Sequence, residues 1–578
     1  MRKCIGGWRR WMALVGWALG GVWAAASPLL AASPIQAAFK VVAFHDVVDH
    51  PGEADQDAVT TDRLVAFFDH LRGEGWNPIS LQDLSDARAG RKPLPPKAIL
   101  ITFDDGYSSL YTRVYPLLLA YRIPVVAALV GDWLERSADE QFEVGGRGVR
   151  RARFLTWDQA RELQASGLVE FASHSHAQHR EVLGNPQGNL TPALSTAAFD
   201  RVAQRYESPS NYRDRLRADL RANEALMLRE LGTRPRAMVW PYGRYNQAAL
   251  DLLAEAGYEF AFTLDYEPGQ LQRPLEIGRY WPTGNLQLSD LINDLGFGEV
   301  LPPARRMVRL DPARLWSADP AVFDQRLGLA IERLRALGIT DVVINGLHRH
   351  GDGSWRAWFP NRVLPVHADA LNRIAWQMRT RAGVRPWVDL AMDQLIAQLP
   401  APDVVRLHHD LGWQVPLDGL FMRSSGGSGR WSEVQGPQRR SSQAGALRQA
   451  RRQLNLAGLQ PEGLSASQDL ALTSFQAVEA SRPGLQWLVL TQGQTPEALA
   501  QWADMVLVET EAPPGFTWPG PGPLAHAQVD DAMTRRRTGL WLRTPQPLSP
   551  SQWAAWWQAL LRQGVAVAGG ELDDEVRP

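Results

Sequence analysis

The sequence predicts an α/β protein, with a parallel sheet or barrel in its first half and a second (β/α) barrel in its second. Three observations carry this. Apolar runs of strand length alternate with helical periodicity from residue 39 to about 280. The alternation resumes after Leu301-Pro302-Pro303-Ala304-Arg305-Arg306, a plausible hinge. At 578 residues the chain has room for several domains of about 100 to 200 residues, each with its own core.

Residues 40–44, Lys-Val-Val-Ala-Phe, read as the first strand, and Leu64, Phe67, Phe68 and Leu71 recur at helical spacing just after it. The apolar run 98–102 leads into a helical segment over 110–121, and 124–130 and 167–172 are further strands. Leu216, Leu220, Leu226, Met227 and Leu231 mark a helix over 212–231, which feeds a strand at 237–240. Between them, residues 184–210 are rich in Asn, Pro, Gln and Ser and read as a surface excursion. Beyond the hinge, candidate strands lie at 307–311, 341–345, 385–390, 418–423, 463–467, 487–491, 504–509, 539–543 and 564–569, with helices such as 320–337 between many of them. That inventory suits a (β/α) barrel. Residues 424–443, dense in Ser, Gly and Arg, read as a loop.

A formal charge of −1 and the lack of a long basic run exclude nucleic acid as the main partner. The 23 Trp supply rings able to stack on sugar faces, although Trp also fills cores. At the amino terminus, Arg2, Lys3, Arg9 and Arg10 precede an apolar stretch over 11–26 and small residues at Ala31-Ala32 and Ala37-Ala38. This reads as a secretory signal over 1–38, with an uncleaved signal anchor as the competing reading. The single cysteine, Cys4, precedes the apolar core, so the mature chain is expected to lack disulfides and a lipid anchor. No later stretch is apolar for long enough to span a bilayer.

The chemistry concentrates at three strand ends. Phe103-Asp104-Asp105-Gly106 closes the run 98–102 and puts two adjacent carboxylates at its C-terminal tip, where α/β barrels keep their active sites. Side chains alternate along a strand, so one aspartate can bind a metal while its neighbour stays free as a base. Ser173-His174-Ser175-His176-Ala177-Gln178-His179 follows another strand, and an Asp with two His leaves coordination positions open for water and substrate. His176 with His179 is an alternative pair. Val239-Trp240-Pro241-Tyr242-Gly243 is the third element.

These segments, in this order, resemble the polysaccharide deacetylases of carbohydrate esterase family 4. The outer His spacing departs by one residue from the commonest His-Ser-x-x-His form. That variant, with Phe44-His45-Asp46-Val47 and Phe359-Pro360-Asn361-Arg362, resembles the periplasmic poly-β-1,6-N-acetylglucosamine N-deacetylases of biofilm export systems. The resemblance implies a distorted deacetylase barrel of about seven strands over 39–303 and a C-terminal (β/α)8-like barrel over 304–578. It also implies a polysaccharide substrate, a periplasmic location and an outer-membrane export protein as partner.

Asp105, His174 and His179 are assigned to a divalent metal, which an Asp and two His leave open between zinc, cobalt and nickel. Asp104 is assigned as the general base. The resemblance favours His174 with His179, leaving His176 facing solvent or behind the ligands. It further implies that the Tyr242 backbone N–H helps hold the oxyanion, aimed by Pro241. Many relatives draw a protonating acid from a late Leu-x-x-His motif, yet no histidine lies between His179 and His348. His45 is therefore the expected acid, with Asp46 orienting it; the competing reading has His45 only hydrogen-bond Asp104 or the substrate. Asp46 and Trp240 are also candidates for contact with the sugar.

In relatives of this architecture the second barrel can be a glycoside hydrolase, which needs paired carboxylates. Here Asp418-Gly419-Leu420-Phe421 runs on into Met422-Arg423, and the acids are absent where the resemblance would put them. Asp311, Asp389, Glu509 and Glu571 remain near strand ends. The expectation is a domain that holds polymer, with Trp355, Trp358, Trp387, Trp431 and Trp518 as stacking candidates, while Trp553, Trp556 and Trp557 pack a helix. Competing readings are a deacetylase of another N-acetylated glycan, chitin-like or peptidoglycan, and a catalytically weak glycan-binding export scaffold.

Overall fold

The computed structural model describes residues 39–53, 56–144, 146–186, 188–295, 304–424, 466–492, 503–511, 538–543, 549–562 and 567–571. The expected signal over 1–38, the loop over 425–443, and Trp431 and Trp518 lie outside them.

The first domain is a curled parallel sheet. Its strands are β1 (Lys40–Phe44), β2 (Asn77–Pro78), β3 (Ala98–Phe103), β4 (Val125–Leu129), β5 (Val169–Ser173), β6 (Ala237–Val239) and β7 (Phe260–Phe262). The order is β1-β3-β4-β5-β6-β7, with β2 beside β3. Apart from the short edge strand β2, these strands are buried almost throughout and read as mainly apolar runs, and all six residues of β3 are buried. The helix Thr61–Gly73 buries Leu64, Phe67, Phe68 and Leu71, the positions its periodicity marks. Single bridges from Phe262 to Ile277 and from Val42 to Tyr280 lay the 277–280 segment between β7 and β1, so the sheet nearly closes. The expected excursion forms two short hairpins, Glu181–Leu183 with Leu190–Pro192 and Phe199–Asp200 with Arg205–Tyr206.

The second domain is a closed barrel of eight parallel strands. They are β8 (Arg305–Leu310), β9 (Asp341–Asn345), β10 (Arg385–Asp389), β11 (Gly419–Ser424), β12 (Gln486–Gln492), β13 (Met505–Glu511), β14 (Thr538–Arg543) and β15 (Val567–Glu571). Side chains alternate between interior and helix layer, as a barrel requires. Met307, Val343, Trp387, Phe421, Leu488, Leu507 and Trp541 fill the interior. Gly419 is needed there, because a Cβ would lie 2.0 Å from the Trp387 ring.

One sequence expectation fails here. Of the strand read at 463–467, residues 463–465 lie outside the described residues, and 466 and 467 open the helix Ala466–Ser481, which packs against the helix Ala401–Gln414. A short apolar stretch does not distinguish a strand from a helix start; the length of the element that follows does.

Candidate functional site

The C-terminal ends of β3 and β5 converge. Asp104 donates its backbone N–H to Phe44 (2.8 Å), and the chain then turns sharply through Asp105 (φ 71°) and Gly106 (φ 73°). Asp tolerates this left-handed region better than most residues, and Gly106 is required, since a Cβ would meet Leu129 at 2.8 Å. The turn sends the two carboxylates apart.

Asp105 Oδ1 lies 3.4 Å from Nε2 of both His174 and His179, and the three ligand atoms fall within 4.8 Å of one another. Tetrahedral coordination with bonds of about 2.0 to 2.1 Å separates ligand atoms by about 3.3 Å, so the set fits a divalent ion. Asp105 Oδ1 is moreover buried with no hydrogen-bond partner, a cost that a cation would relieve. His174 Nδ1–H donates to the Val239 carbonyl (2.7 Å), which turns Nε2 toward Asp105. Burial holds the His179 pKa down to about 4 against the pull of Asp105, so its imidazole is neutral at pH 7, as a ligand must be. Burial works against the Asp105 charge, yet His179 and His174 outweigh it and hold its carboxyl well below the ordinary range.

Asp104 faces the other way. Its carboxylate, 2% exposed, is gripped in parallel by Arg279, Nη1 to Oδ1 at 2.8 Å and Nη2 to Oδ2 at 2.9 Å. Burial opposes its charge, but Arg279 and His45 prevail and keep it ionised. Arg279 also donates to Thr102 Oγ1 (2.8 Å) and the Thr263 carbonyl (3.0 Å). Sequence reasoning missed this residue: it sits on the segment that closes the sheet, far from any motif. His45 Nε2 is 3.9 Å from Asp104 Oδ2, its Nδ1 is buried without a partner, and the Trp281 ring stands 5.5 Å away. Trp281 was also missed.

Tyr242 has φ 57°, strain of about 1 to 2 kcal/mol for a residue with a Cβ, and its ring lies 4.6 Å from that of His179. Burial pushes its phenol up to about 12, so the hydroxyl stays protonated. His176 turns outward to Glu135 (2.9 Å), which leaves it out of the ligand set.

Several expected contacts are corrected. Asp46 does not orient the His45 ring, whose Nδ1 has no partner: it is 6% exposed, accepts from Ser109 Oγ (2.6 Å) and pairs with Arg153 (2.7 Å). Trp240 is 2% exposed and stacked on Tyr245 at 5.5 Å, in the core. In the barrel, Trp387 is fully buried, with its indole N–H on Asp341, and Trp358 is buried between barrel and helices. Burial of a single indole is a tertiary outcome that strand-end position does not report. Trp355 differs: it lines a cavity of about 260 Å³ at the C-terminal end of the barrel, with Arg309, Asn345, Asp389, Gln394 and Arg423.

Residues 91–261 match the polysaccharide deacetylase family. The chain carries a polysaccharide deacetylase domain. Residues 308–403 match hypothetical glycosyl hydrolase family 13. The poly-beta-1,6-N-acetyl-D-glucosamine N-deacetylase of Escherichia coli K12 is 35% identical over 345 residues, 59% of this chain and 51% of the relative. The chain thus spans about half the length of that relative. A solved de-N-acetylase from Aggregatibacter actinomycetemcomitans is 33% identical and covers 45% of this chain and all of its own, at a TM-score of 0.42. The deacetylase domain of a Bordetella bronchiseptica protein is 39% identical over 42% of this chain and 96% of its own, at a TM-score of 0.39. The deacetylase domain here keeps the Asp-Asp-Gly, His and Pro-Tyr-Gly segments inside the matched span, whereas His45 and Arg279 lie outside it.

Proposed function

We propose that the protein is an exported, metal-dependent N-deacetylase of poly-β-1,6-N-acetylglucosamine whose second barrel holds the polymer. The observation that carries this is the Asp105, His174 and His179 set, the first two buried and the third partly so, with an independently anchored carboxylate, Asp104, beside it. Asp105, His174 and His179 would hold the ion, with zinc, cobalt and nickel as candidates. When bound, such an ion polarises the acetamide carbonyl and acidifies water.

The remaining chemistry belongs to the chain. Asp104, fixed by Arg279, accepts a proton from the attacking water, and such a tightly paired carboxylate is a weak base that suits an already acidified water. The water oxygen bonds to the carbonyl carbon. The Tyr242 backbone N–H receives the developing negative charge on oxygen. His45 then gives a proton to the nitrogen as the C–N bond breaks, leaving acetate and a free amine. The similarity to poly-beta-1,6-N-acetyl-D-glucosamine N-deacetylases supports this glycan as substrate.

In the barrel mouth, Asp389 is paired with Arg309 (2.9 Å) and Glu509 with Arg423 (3.2 Å). Asp311 caps the short helix that follows it. Glycoside cleavage takes a pair of carboxyl groups free to flank the bond, whereas Asp389 and Glu509 are each engaged by a guanidinium and Asp311 by a helix end, which supports holding over cutting. Export through the amino-terminal signal, residence in the periplasm and delivery of the polymer to an outer-membrane export protein complete the reading; no helix among the described residues is long and apolar enough to cross a membrane.

The test is acetate release from β-1,6-linked N-acetylglucosamine oligomers with and without added metal, beside Asp105→Ala, with product lengths read by mass spectrometry. Metal-dependent release that is lost in the variant, at unchanged length, is expected. No release from folded, metal-loaded protein would overturn the proposal, and shortened products would overturn the holding role of the barrel.

A further inference from the structure

The two histidines of the metal set are held differently. His174 is oriented by a hydrogen bond on its far nitrogen, whereas His179 Nδ1 is buried and has no partner. Metal-ligating imidazoles are ordinarily fixed through that second nitrogen. The position of His179 then comes from the rings packed against it, Trp133 at 4.9 Å and Tyr242 at 4.6 Å, and from its backbone, the loop 175–179.

That loop is clamped by one face of the helix Pro209–Leu231. Asp219 accepts the backbone N–H groups of His176 (3.0 Å) and Ala177 (2.7 Å). One turn earlier stands Arg215, at i−4 on the same face. Its Nη1 donates to Gln178 Oε1 (2.5 Å), the residue before His179, and to the Ala193 carbonyl (3.0 Å). Its Nη2 donates to the Thr196 carbonyl (2.9 Å) and Glu207 (2.8 Å), and its Nε to Glu207 (3.0 Å). A guanidinium has five N–H donors in a fixed fork, and these bonds use all of its nitrogens. Arg215 therefore ties the metal loop to the 180–207 insertion.

The insertion is in turn docked on the barrel. Asn185, fully buried, donates to Asn372 Oδ1 (2.6 Å), and the Tyr206 hydroxyl donates to Asp369 (3.0 Å). Beside them, Tyr212 stands edge-on to Trp413, with ring centroids 5.2 Å apart.

We propose that Arg215 is a positioning residue for the metal site, and that through it the barrel's grip on the 180–207 insertion holds His179 in place. This rests on the metal reading given above. The second domain is then part of the support of the deacetylase site as well as a place for polymer.

The experiment is a Co²⁺ titration of the full chain, following the visible absorption bands, for the parent and for Arg215→Met, Arg215→Lys and Asn185→Ala. Far-ultraviolet circular dichroism and urea unfolding in chelator report folding separately. Arg215→Met is expected to weaken Co²⁺ binding by about ten-fold or more and to alter the bands, the usual scale for losing support behind a ligand. Arg215→Lys should recover part of the loss, and Asn185→Ala should shift affinity in the same direction by less. Folded Arg215→Met that binds Co²⁺ within about two-fold of the parent, with unchanged bands, overturns the proposal. If Arg215→Met does not fold, Asn185→Ala decides: parental affinity and bands overturn the coupling through the insertion. A parent that fails to bind Co²⁺ overturns the metal reading itself.

Discussion

Removing the Arg279 guanidinium tests whether Asp104, the proposed base, is held by a buried ion pair. Arg279 is 1% exposed and Asp104 2%, and they share two parallel hydrogen bonds of 2.8 and 2.9 Å. Breaking such a pair from one side strands a charge in the interior, which costs about 3 to 5 kcal/mol. Arg279→Met keeps most of the side-chain length while leaving Asp104 without its cation. The expected loss at pH 7, in chelator, is therefore about 3 to 5 kcal/mol by urea unfolding. The same substitution in an Asp104→Asn background should cost far less, because no carboxylate is stranded, and the cycle should return a coupling of about 2 kcal/mol or more. Arg279→Lys should fall between, since an ammonium keeps the charge but not the parallel fork. Acetate release should collapse in Arg279→Met even in its folded fraction. A coupling below about 0.5 kcal/mol, or an Arg279→Met protein as stable as the parent, would refute the reasoning.

Further outcomes follow from other parts of the molecule. His408 is 1% exposed, donates to the Val404 carbonyl (2.8 Å), and is held by burial down to about 4. Its unfolded value is about 6.5, so the unfolded chain binds the extra proton first and stability falls as pH drops from about 6.5 toward 4, by at most about 3 kcal/mol; His408→Asn should flatten that slope in pH-dependent urea unfolding. Trp240→Ala should lower stability by about 3 to 5 kcal/mol through a core cavity while leaving KM unchanged in the folded fraction, and a raised KM would reinstate Trp240 as a sugar contact. Trp355→Ala should loosen polymer retention in affinity electrophoresis by about five-fold, roughly 1 kcal/mol, with little change in Tm; unaltered retention would move the holding site elsewhere on the barrel.

Much of the site was legible in sequence because its pieces are local. A strand end fixes where Asp104, Asp105 and His174 emerge, and strand ends announce themselves by apolar runs that stop at polar residues. The helix Pro209–Leu231 was legible for the same reason, its buried positions recurring at helical spacing. Trp240, Trp358 and Trp387 were misread because an indole beside a strand end is equally suited to a core and to a cleft, and only its neighbours decide. Residues 466 and 467, read as the end of a strand, open a helix instead, because a few residues are too short for either period to show.

The sequence by itself determined the two α/β domains and the residues able to bind an ion, since periodicity and residue chemistry are properties of the chain. Only the tertiary structure decided what surrounds them. Arg279 reaches Asp104 across 175 positions because the closing segment passes beside β1. Arg215 binds the loop 175–179 and the insertion together because a helix face brings them within reach of one guanidinium. Asp46 and Ser109 meet behind His45 across 63 positions. Such contacts depend on chain closure, where separation in sequence carries no distance, and their partners become knowable only when the sheet curls.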